Sequence, residues 1–156
     1  MLRRTRRSAG EGGQVGRAPT DRTCHTHTYS TYGILSDVSW DVEGTAEFAG
    51  WFGDLGDEEQ VSVGRVVELL VEHGPSLPFP YSSGIHGSRH RHMRELRIQH
   101  DGRPYRVLYA FDPRRSAILL LGGDKTGHDR WYEEHVPKAD SLYDDYLLEL
   151  KRDGLI

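Results

Sequence analysis

The sequence lacks the features that would place it in an oxidising compartment or in a membrane. It contains one cysteine, Cys24, so no disulfide can form within the chain. The longest apolar run, at residues 118–121, suits a buried strand and is far too short to cross a bilayer. No apolar segment follows the basic residues 1–7, so no secretory signal is expected. These absences predict a cytoplasmic protein with no membrane partner.

Large aliphatic side chains are nearly missing from residues 1–35, which are rich in Gly, Arg, Thr and Ser. Such a segment cannot bury enough apolar surface to offset its ordering entropy, so we predict a disordered basic tail. Its Cys24, His25 and His27 have metal-binding chemistry, but the second ligand pair of a zinc finger is missing. One folded domain is therefore predicted over residues 36–156.

Acidic residues outnumber basic ones by 24 to 20, but the charge is uneven along the chain. Between residues 89 and 115 there are eight arginines and three acids, and the flanking segments are acidic. A basic centre in an acidic protein indicates a contact surface for a polyanion. Solvated strand and loop arginines would produce the same pattern, so charge alone leaves both interpretations open.

Hydrophobic periodicity predicts an α+β chain with the element order β-α-α-β-β-β-α. Alternating apolar residues around Trp40 indicate a strand. Thr45 can cap a first helix, and the stripe of a second helix runs over residues 57–73. A Pro- and Gly-rich loop is predicted over residues 76–92. The following strands are predicted at residues 94–99, 105–112 and 117–121, with turns at Asp101-Gly102 and Asp112-Pro113 that make an antiparallel meander.

The predicted meander leads through a polar loop, residues 122–130, into a final helix. Pro137 suits the first turn of that helix, and Gly154 suits its end. Alternation in the middle strand places Tyr105, Val107 and Tyr109 on one face, toward the two helices. Arg106 is therefore predicted on the opposite, concave face.

Two stretches of this part of the chain match a known pattern. The first is the strand Glu95-Leu96-Arg97, a hairpin turn, and the "YRVLY" strand at residues 105–109. The second is an apolar strand followed by the loop Lys125-Thr126 and a helix entered through Tyr132. In this order and at these distances, the motifs resemble the RelE/ParE superfamily of toxins, in its HigB-like, phage-derived branch. The resemblance covers most of the chain after residue 40.

The resemblance implies a compact RelE-like domain, with two N-terminal helices packed on a curved antiparallel sheet and a C-terminal helix. It implies the toxin of a type II toxin–antitoxin system that cleaves messenger RNA on the 70S ribosome. The 2′-hydroxyl attacks the adjacent phosphate, so no cofactor or metal is needed. The implied partner is a cognate helix-turn-helix antitoxin. A ParE-like gyrase inhibitor that cuts nothing, or an inactive remnant that only binds its antitoxin, are alternatives.

RNA cleavage by this route needs a base, cationic donors for the phosphorane and a proton for the leaving oxygen. The resemblance assigns the phosphate contact to Arg106, charge stabilisation to Lys125, and stacking or proton transfer to Tyr132. His128 and His92 are acid/base candidates because imidazole titrates near neutral pH. The further RNA contacts predicted are Arg91, Arg94, Arg97 and Trp131.

These residues also have ordinary structural interpretations. Arg106 and Arg97 could be ion-paired strand arginines, and Trp131 could belong to the core. His90 and His92, two residues apart on a strand, could instead share a metal. Two departures from the family pattern bear on activity. Glu95 stands where RelE itself has a lysine and repels phosphate, and only one lysine stands in the loop where many relatives have two.

Overall fold

The computed structural model describes residues 39–156, so the predicted tail at residues 1–35 lies outside the described residues. Within this range, no helix has the length and apolar character needed to span a membrane. The elements in chain order are β1 (Val42–Gly44), α1 (Ala46–Asp54), α2 (Asp57–His73), a 3-10 turn (Gly74–Ser76), β2 (Ser82–Gly84), β3 (Arg94–His100), β4 (Arg103–Phe111), β5 (Ala117–Asp124) and α3 (Trp131–Arg152).

The five strands form one mixed sheet in the order β1-β5-β4-β3-β2. The pairs β2–β3, β3–β4 and β4–β5 are antiparallel, whereas β1 runs parallel to β5 with Val42 opposite Ala117. A parallel pair needs a long crossover, which the chain from α1 to β4 supplies. The predicted α+β class is confirmed, but the prediction of a purely antiparallel sheet is wrong at this edge.

The starts and turns of several elements follow from local chemistry. The Thr45 hydroxyl caps α1 by accepting the Phe48 N–H at 3.1 Å, as predicted. The predicted helix over residues 57–73 coincides with α2. Asp101 and Gly102 have φ values of 48° and 75°, the left-handed pair that a two-residue hairpin requires. The predicted Asp-Gly hairpin between β3 and β4 is therefore confirmed.

Strand β2 lies inside the stretch that the sequence predicts as a loop. Its residues, Ser-Ser-Gly, carry no apolar alternation, so no periodic signal marks them. The strand is held by its ladder with β3 and by the buried Ser82 hydroxyl, which lies 2.7 Å from the Tyr109 hydroxyl. Long-range partners of this kind cannot be read from three polar residues.

The predicted loop over residues 122–130 is also too long, because β5 continues through Asp124. Gly122 and Gly123 are strand residues against which two indoles pack from opposite faces. A Cβ at Gly122 would overlap the Trp51 ring, and one at Gly123 would lie 2.8 Å from Trp131 Nε1. These glycines permit close packing within a strand and do not form a phosphate loop.

Replacing Gly122 by alanine should lower the free energy of unfolding by about 2 kcal/mol, because the Trp51 ring and the α1 backbone must shift. Gly64, inside α2, is the matched control. A Cβ there meets nothing within 4 Å, so Gly64→Ala should stabilise by up to about 1 kcal/mol through helix propensity. Urea unfolding of both variants measures the difference. Equal stability of Gly122→Ala and the wild type would contradict the packing argument.

Helix α3 begins at Trp131, so the prediction that Pro137 occupies its first turn is wrong. Trp131 and Val136 are buried against the sheet, and their burial extends the helix ahead of the proline. Proline removes one hydrogen bond, whose acceptor is the carbonyl of Glu133. Since Glu133 is exposed, water can satisfy that carbonyl.

The sheet is covered on both faces, which gives the domain two apolar cores. Helices α1 and α2 pack on one face, against the aromatic side of β4. Helix α3 packs on the other face, so the face that carries Arg106 is largely covered. A bulge in β5, where Leu120 has no partner on β4, lets both Leu120 and Leu121 join the α3 core.

Candidate active site

Glu95 lies at the centre of a polar cluster on the α3 side of the sheet, and only 3% of it is exposed. Its Oε1 accepts hydrogen bonds from Ser83 Oγ at 2.8 Å and Arg97 Nη1 at 3.2 Å. Its Oε2 accepts one from the Tyr132 hydroxyl at 2.6 Å and lies 3.7 Å from Arg106 Nε. We call these five residues, together with Lys125, the Glu95 cluster.

The register of the sheet explains how the charged members of this cluster meet. Arg97 on β3 lies directly opposite Arg106 on β4, and Glu95 is two residues along β3 on the same face. Two facing arginines repel each other. The Glu95 carboxylate between them offsets that repulsion and holds both guanidinium groups.

Arg106, predicted on the concave face of the sheet, is buried, with 4% of its surface exposed. It does point away from α1 and α2, as predicted, but α3 and the loop after β5 cover that face. Nη1 donates to the Tyr105 carbonyl at 2.9 Å. In the described part of the chain, Nε is the one buried side-chain nitrogen or oxygen without a hydrogen-bond partner. An unmet buried donor costs about 1–3 kcal/mol, which an incoming anion would recover.

Lys125 and Tyr132 complete the cluster from the end of β5 and the start of α3. The Lys125 N–H donates to the Pro104 carbonyl at 3.0 Å, which fixes the loop beside β4. Lys125 Nζ lies 4.8 Å from the centre of the Tyr132 ring, a cation–π contact. Burial, and then the hydrogen bond to Glu95, raise the pKa of the Tyr132 phenol. The phenol therefore stays protonated at neutral pH and donates a hydrogen bond to Glu95.

Other predicted site residues lie elsewhere. Arg94 points to the α1–α2 side of the sheet and donates from Nε to Ser82 Oγ at 3.1 Å. Arg91 is exposed in the turn before β3. Trp131 is 2% exposed in the α3 core, so the prediction that it stacks on a base is wrong. Its ring is covered by His135, stacked at 4.3 Å between ring centres.

The two histidines predicted as acid/base groups have partners outside the Glu95 cluster. His92 Nε2 lies 3.0 Å from the Tyr143 hydroxyl on α3, and burial and His90 lower the pKa of His92. His92 lies in the turn before β3, three residues before Glu95 and five before Arg97. His128 is on the loop after Lys125, and its Nε2 lies 3.2 Å from a carboxylate oxygen of Glu134.

At the alternative metal site, the Nε2 atoms of His90 and His92 already contact other side chains. His90 Nε2 lies 2.8 Å from Asp144 Oδ1, and His92 bonds to Tyr143. Across residues 39–156, one set of three potential metal-binding side chains has its ligand atoms within 4.8 Å of one another. It consists of Glu58, His100 and Asp101, by the β3–β4 turn. It could hold a divalent cation, but it lies about five residues along β3 from Glu95.

Glu95 and Ser83 are the members of the cluster that sequence reasoning did not assign to the site. Glu95 was interpreted as a departure that repels phosphate, whereas in the structure it holds two arginines and the Tyr132 phenol. Alternation along β3 does place Glu95 and Arg97 on one face, and that signal was available. Ser83 had no signal, because β2 is not predicted.

The similarity of this chain to known proteins extends over the whole of this site. The family described as "Phage derived protein Gp49-like (DUF891)" matches residues 50–144, a range that includes every member of the Glu95 cluster. "Putative toxin HigB2" of Mycobacterium tuberculosis (strain ATCC 25618 / H37Rv) is 36% identical over 146 residues, which cover 90% of this chain and 71% of that protein. "Putative toxin HigB3" of the same organism is 42% identical over 98 residues, 62% of this chain and 84% of that protein.

Proposed function

Because the chain belongs to the Gp49-like family of phage-derived proteins, we propose that it is the toxin of a type II toxin–antitoxin system and cleaves messenger RNA on the ribosome. The names of its relatives support the toxin assignment, and they agree with the HigB-like resemblance of the sequence. The cognate partner would be a helix-turn-helix antitoxin. The observation that carries the cleavage proposal is the convergence of Arg106, Arg97 and Tyr132 on Glu95, with Lys125 against the Tyr132 ring.

In the proposed reaction the nucleophile is the 2′-hydroxyl of the substrate. Its oxygen attacks the adjacent phosphorus, its proton passes to a base, and the bond to the 5′-oxygen breaks as that oxygen takes a proton. The products are a 2′,3′-cyclic phosphate and a 5′-hydroxyl. The nucleophile comes from the RNA, so the protein must supply only proton transfer and positive charge, and no metal or other cofactor is required.

The cluster has groups suited to each requirement. Arg106 Nε, buried and without a partner, can donate to a phosphate oxygen. Lys125 adds a positive charge next to the Tyr132 ring. Counted as ions, the three cations and one carboxylate leave a net charge of +2, which suits a phosphorane. This surplus of positive charge favours binding of a phosphodiester over a purely structural ion pair.

Proton transfer is assigned to Tyr132 and Glu95. The phenol donates to Oε2 at 2.6 Å, so it can take the 2′-proton while passing its own proton to the carboxylate. A phenol is protonated at neutral pH, and burial and the Glu95 hydrogen bond raise the pKa of Tyr132 further, so Tyr132 acts as a relay to Glu95 and not as a free phenolate. We assign the acid that protonates the 5′-oxygen to His128, which is on the same loop as Lys125 and pairs with Glu134 outside the Glu95 cluster.

Purified protein should cut messenger RNA on 70S ribosomes well and free RNA poorly. The ribosome would hold the codon in a reactive geometry, a contribution of several kcal/mol that corresponds to at least about a hundredfold in rate. Primer extension that maps new 5′ ends, with and without ribosomes, measures the difference. The cognate antitoxin should abolish cutting.

Two results would contradict this function. Efficient, metal-dependent cutting of free RNA would point to a different chemistry and to the Glu58–His100–Asp101 group. Inhibition of gyrase supercoiling, with no new RNA ends on ribosomes, would favour the ParE-like alternative. The Tyr132→Phe variant is the internal check, because it removes the proton relay and keeps the ring under Lys125.

A further inference from the structure

A groove of about 510 Å³ crosses the edge of the sheet beside the Glu95 cluster. It exists because β2 begins only at Ser82, and just before that residue the Tyr81 carbonyl accepts the Arg97 N–H of β3. Beyond that bond the chain turns away at Pro80, which leaves β3 uncovered. The walls are α2, the Pro80-Tyr81 segment and β3, and Arg106 of β4 is also part of the lining.

The charged side chains that line the groove are cationic. Among residues 39–156, the lining includes Arg65 from α2, Arg97 and Arg106 but no carboxylate residue, and Glu95 pairs with Arg97 and Arg106 from outside the lining. Arg97 and Arg106 also belong to the Glu95 cluster, so Arg65 extends the cationic surface of the candidate active site toward α2. A continuous positive surface of this kind suits a chain of phosphates that passes through the site.

Two exposed aromatic side chains stand at the rim of the groove. Phe79 is 69% exposed and Tyr81 is 43% exposed, so both rings are available for contact. The Arg97 guanidinium lies 5.1 Å from the centre of the Phe79 ring. An aromatic face with a stacked arginine is a platform for an unpaired base. A peptide helix would instead need a continuous apolar groove, and arginines interrupt this one.

We propose that this groove binds a single-stranded RNA segment adjacent to the scissile phosphate. One base stacks on Phe79 or Tyr81, and the neighbouring phosphates contact Arg65 and Arg97. The position of this segment beside the scissile phosphate rests on the proposed function, because it takes the Glu95 cluster as the cleavage site. The binding itself does not depend on cleavage, so the two can be measured separately.

The test is fluorescence anisotropy with a fully 2′-O-methylated oligoribonucleotide of eight residues, which cannot be cut by 2′-hydroxyl attack. Phe79→Ala should weaken binding about tenfold, the effect of losing one base–aromatic stack. Arg65→Ala should weaken it severalfold and reduce the slope of log affinity against log salt by about 0.7. Both side chains are exposed, so melting temperatures should stay near that of the wild type.

Matched controls come from the far end of α3. Leu148 is an exposed apolar residue and Arg152 an exposed arginine, and neither lines the groove. Leu148→Ala and Arg152→Ala should bind the oligonucleotide like the wild type. Equal losses in these controls, or no loss in Phe79→Ala and Arg65→Ala, would overturn the proposal. So would a Phe79→Ala variant that binds RNA normally but loses affinity for the antitoxin, since the groove would then be a protein site.

Ribosome cleavage assays on the same variants keep the two proposals apart. A wild type that binds the oligonucleotide through Phe79 but never cuts messenger RNA supports the groove and refutes the nuclease function. A wild type that cuts, with Phe79→Ala and Arg65→Ala unchanged in binding and in cutting, overturns the groove alone.

Discussion

Replacing Arg106 by alanine is expected to lower the rate of cleavage on ribosomes about a hundredfold and to abolish growth arrest. A buried guanidinium that donates to the phosphorane contributes on the order of 3 kcal/mol to the transition state. Arg106→Lys should restore only part of the rate, because an ammonium group cannot give two parallel hydrogen bonds to phosphate oxygens. Single-turnover cleavage of ribosome-bound messenger RNA measures each variant.

The burial of Arg106 requires a control for folding. The side chain is 4% exposed and packs beside Glu95, so truncation to alanine also leaves a cavity and removes one cation from the carboxylate. Arg106→Met keeps most of the apolar stem without the charge, and it should melt closer to the wild type than Arg106→Ala does. If Arg106→Met cleaves at the wild-type rate, Arg106 does not contact phosphate. Activity that falls only in proportion to the unfolded fraction would make it a structural residue.

The Asp112→Ala variant should lose about 3 kcal/mol of stability and melt roughly 10 °C lower. The Asp112 side chain is fully buried and accepts hydrogen bonds from the backbone N–H groups of Arg114 and Ser116. It also accepts from the Arg114 guanidinium at 2.9 Å and the Tyr146 hydroxyl at 2.9 Å. Arg114 further reaches Glu43 at 3.3 Å, so the network joins the β4–β5 turn to β1 and α3. Thermal unfolding by circular dichroism measures the loss.

Asp145, an exposed acid on α3, is the matched control for this variant. Asp145→Ala should change stability by no more than about 0.5 kcal/mol. Cleavage per folded molecule should survive in Asp112→Ala below its melting temperature, because about 20 Å of strand separates Asp112 from Arg106. A melting temperature within about 2 °C of the wild type would show that the network is not required for stability.

Features with short-range causes could be predicted from the sequence. The apolar stripe defines α2, and the Asp-Gly pair defines the β3–β4 hairpin through its left-handed backbone. The two-residue period of a strand is equally local, and it places Arg106 opposite the aromatic face of β4. Family membership also follows from short motifs at set distances along the chain.

Features with long-range causes could not be predicted in this way. Strand β2 depends on pairing with β3, and β1 depends on a parallel partner that lies more than 70 residues later in the chain. Helix α3 begins ahead of Pro137 because Trp131 and Val136 find buried positions on the sheet. In each case the stabilising contacts come from another element of the fold, so the local propensity of the segment does not reveal them.

The sequence by itself determined the α+β class, the family and the residue types available for phosphate chemistry. Only the tertiary structure decided which of these residues meet. Tyr132 reaches Glu95 across 37 residues of chain, and this contact changes Glu95 from a charge that repels phosphate into the anchor of two arginines. The physical reason is burial: α3 and the Lys125 loop enclose one face of the sheet, and a charge enclosed there must be paired. The sequence shows which charged residues are present, whereas the packing of α3 determines which of them pair.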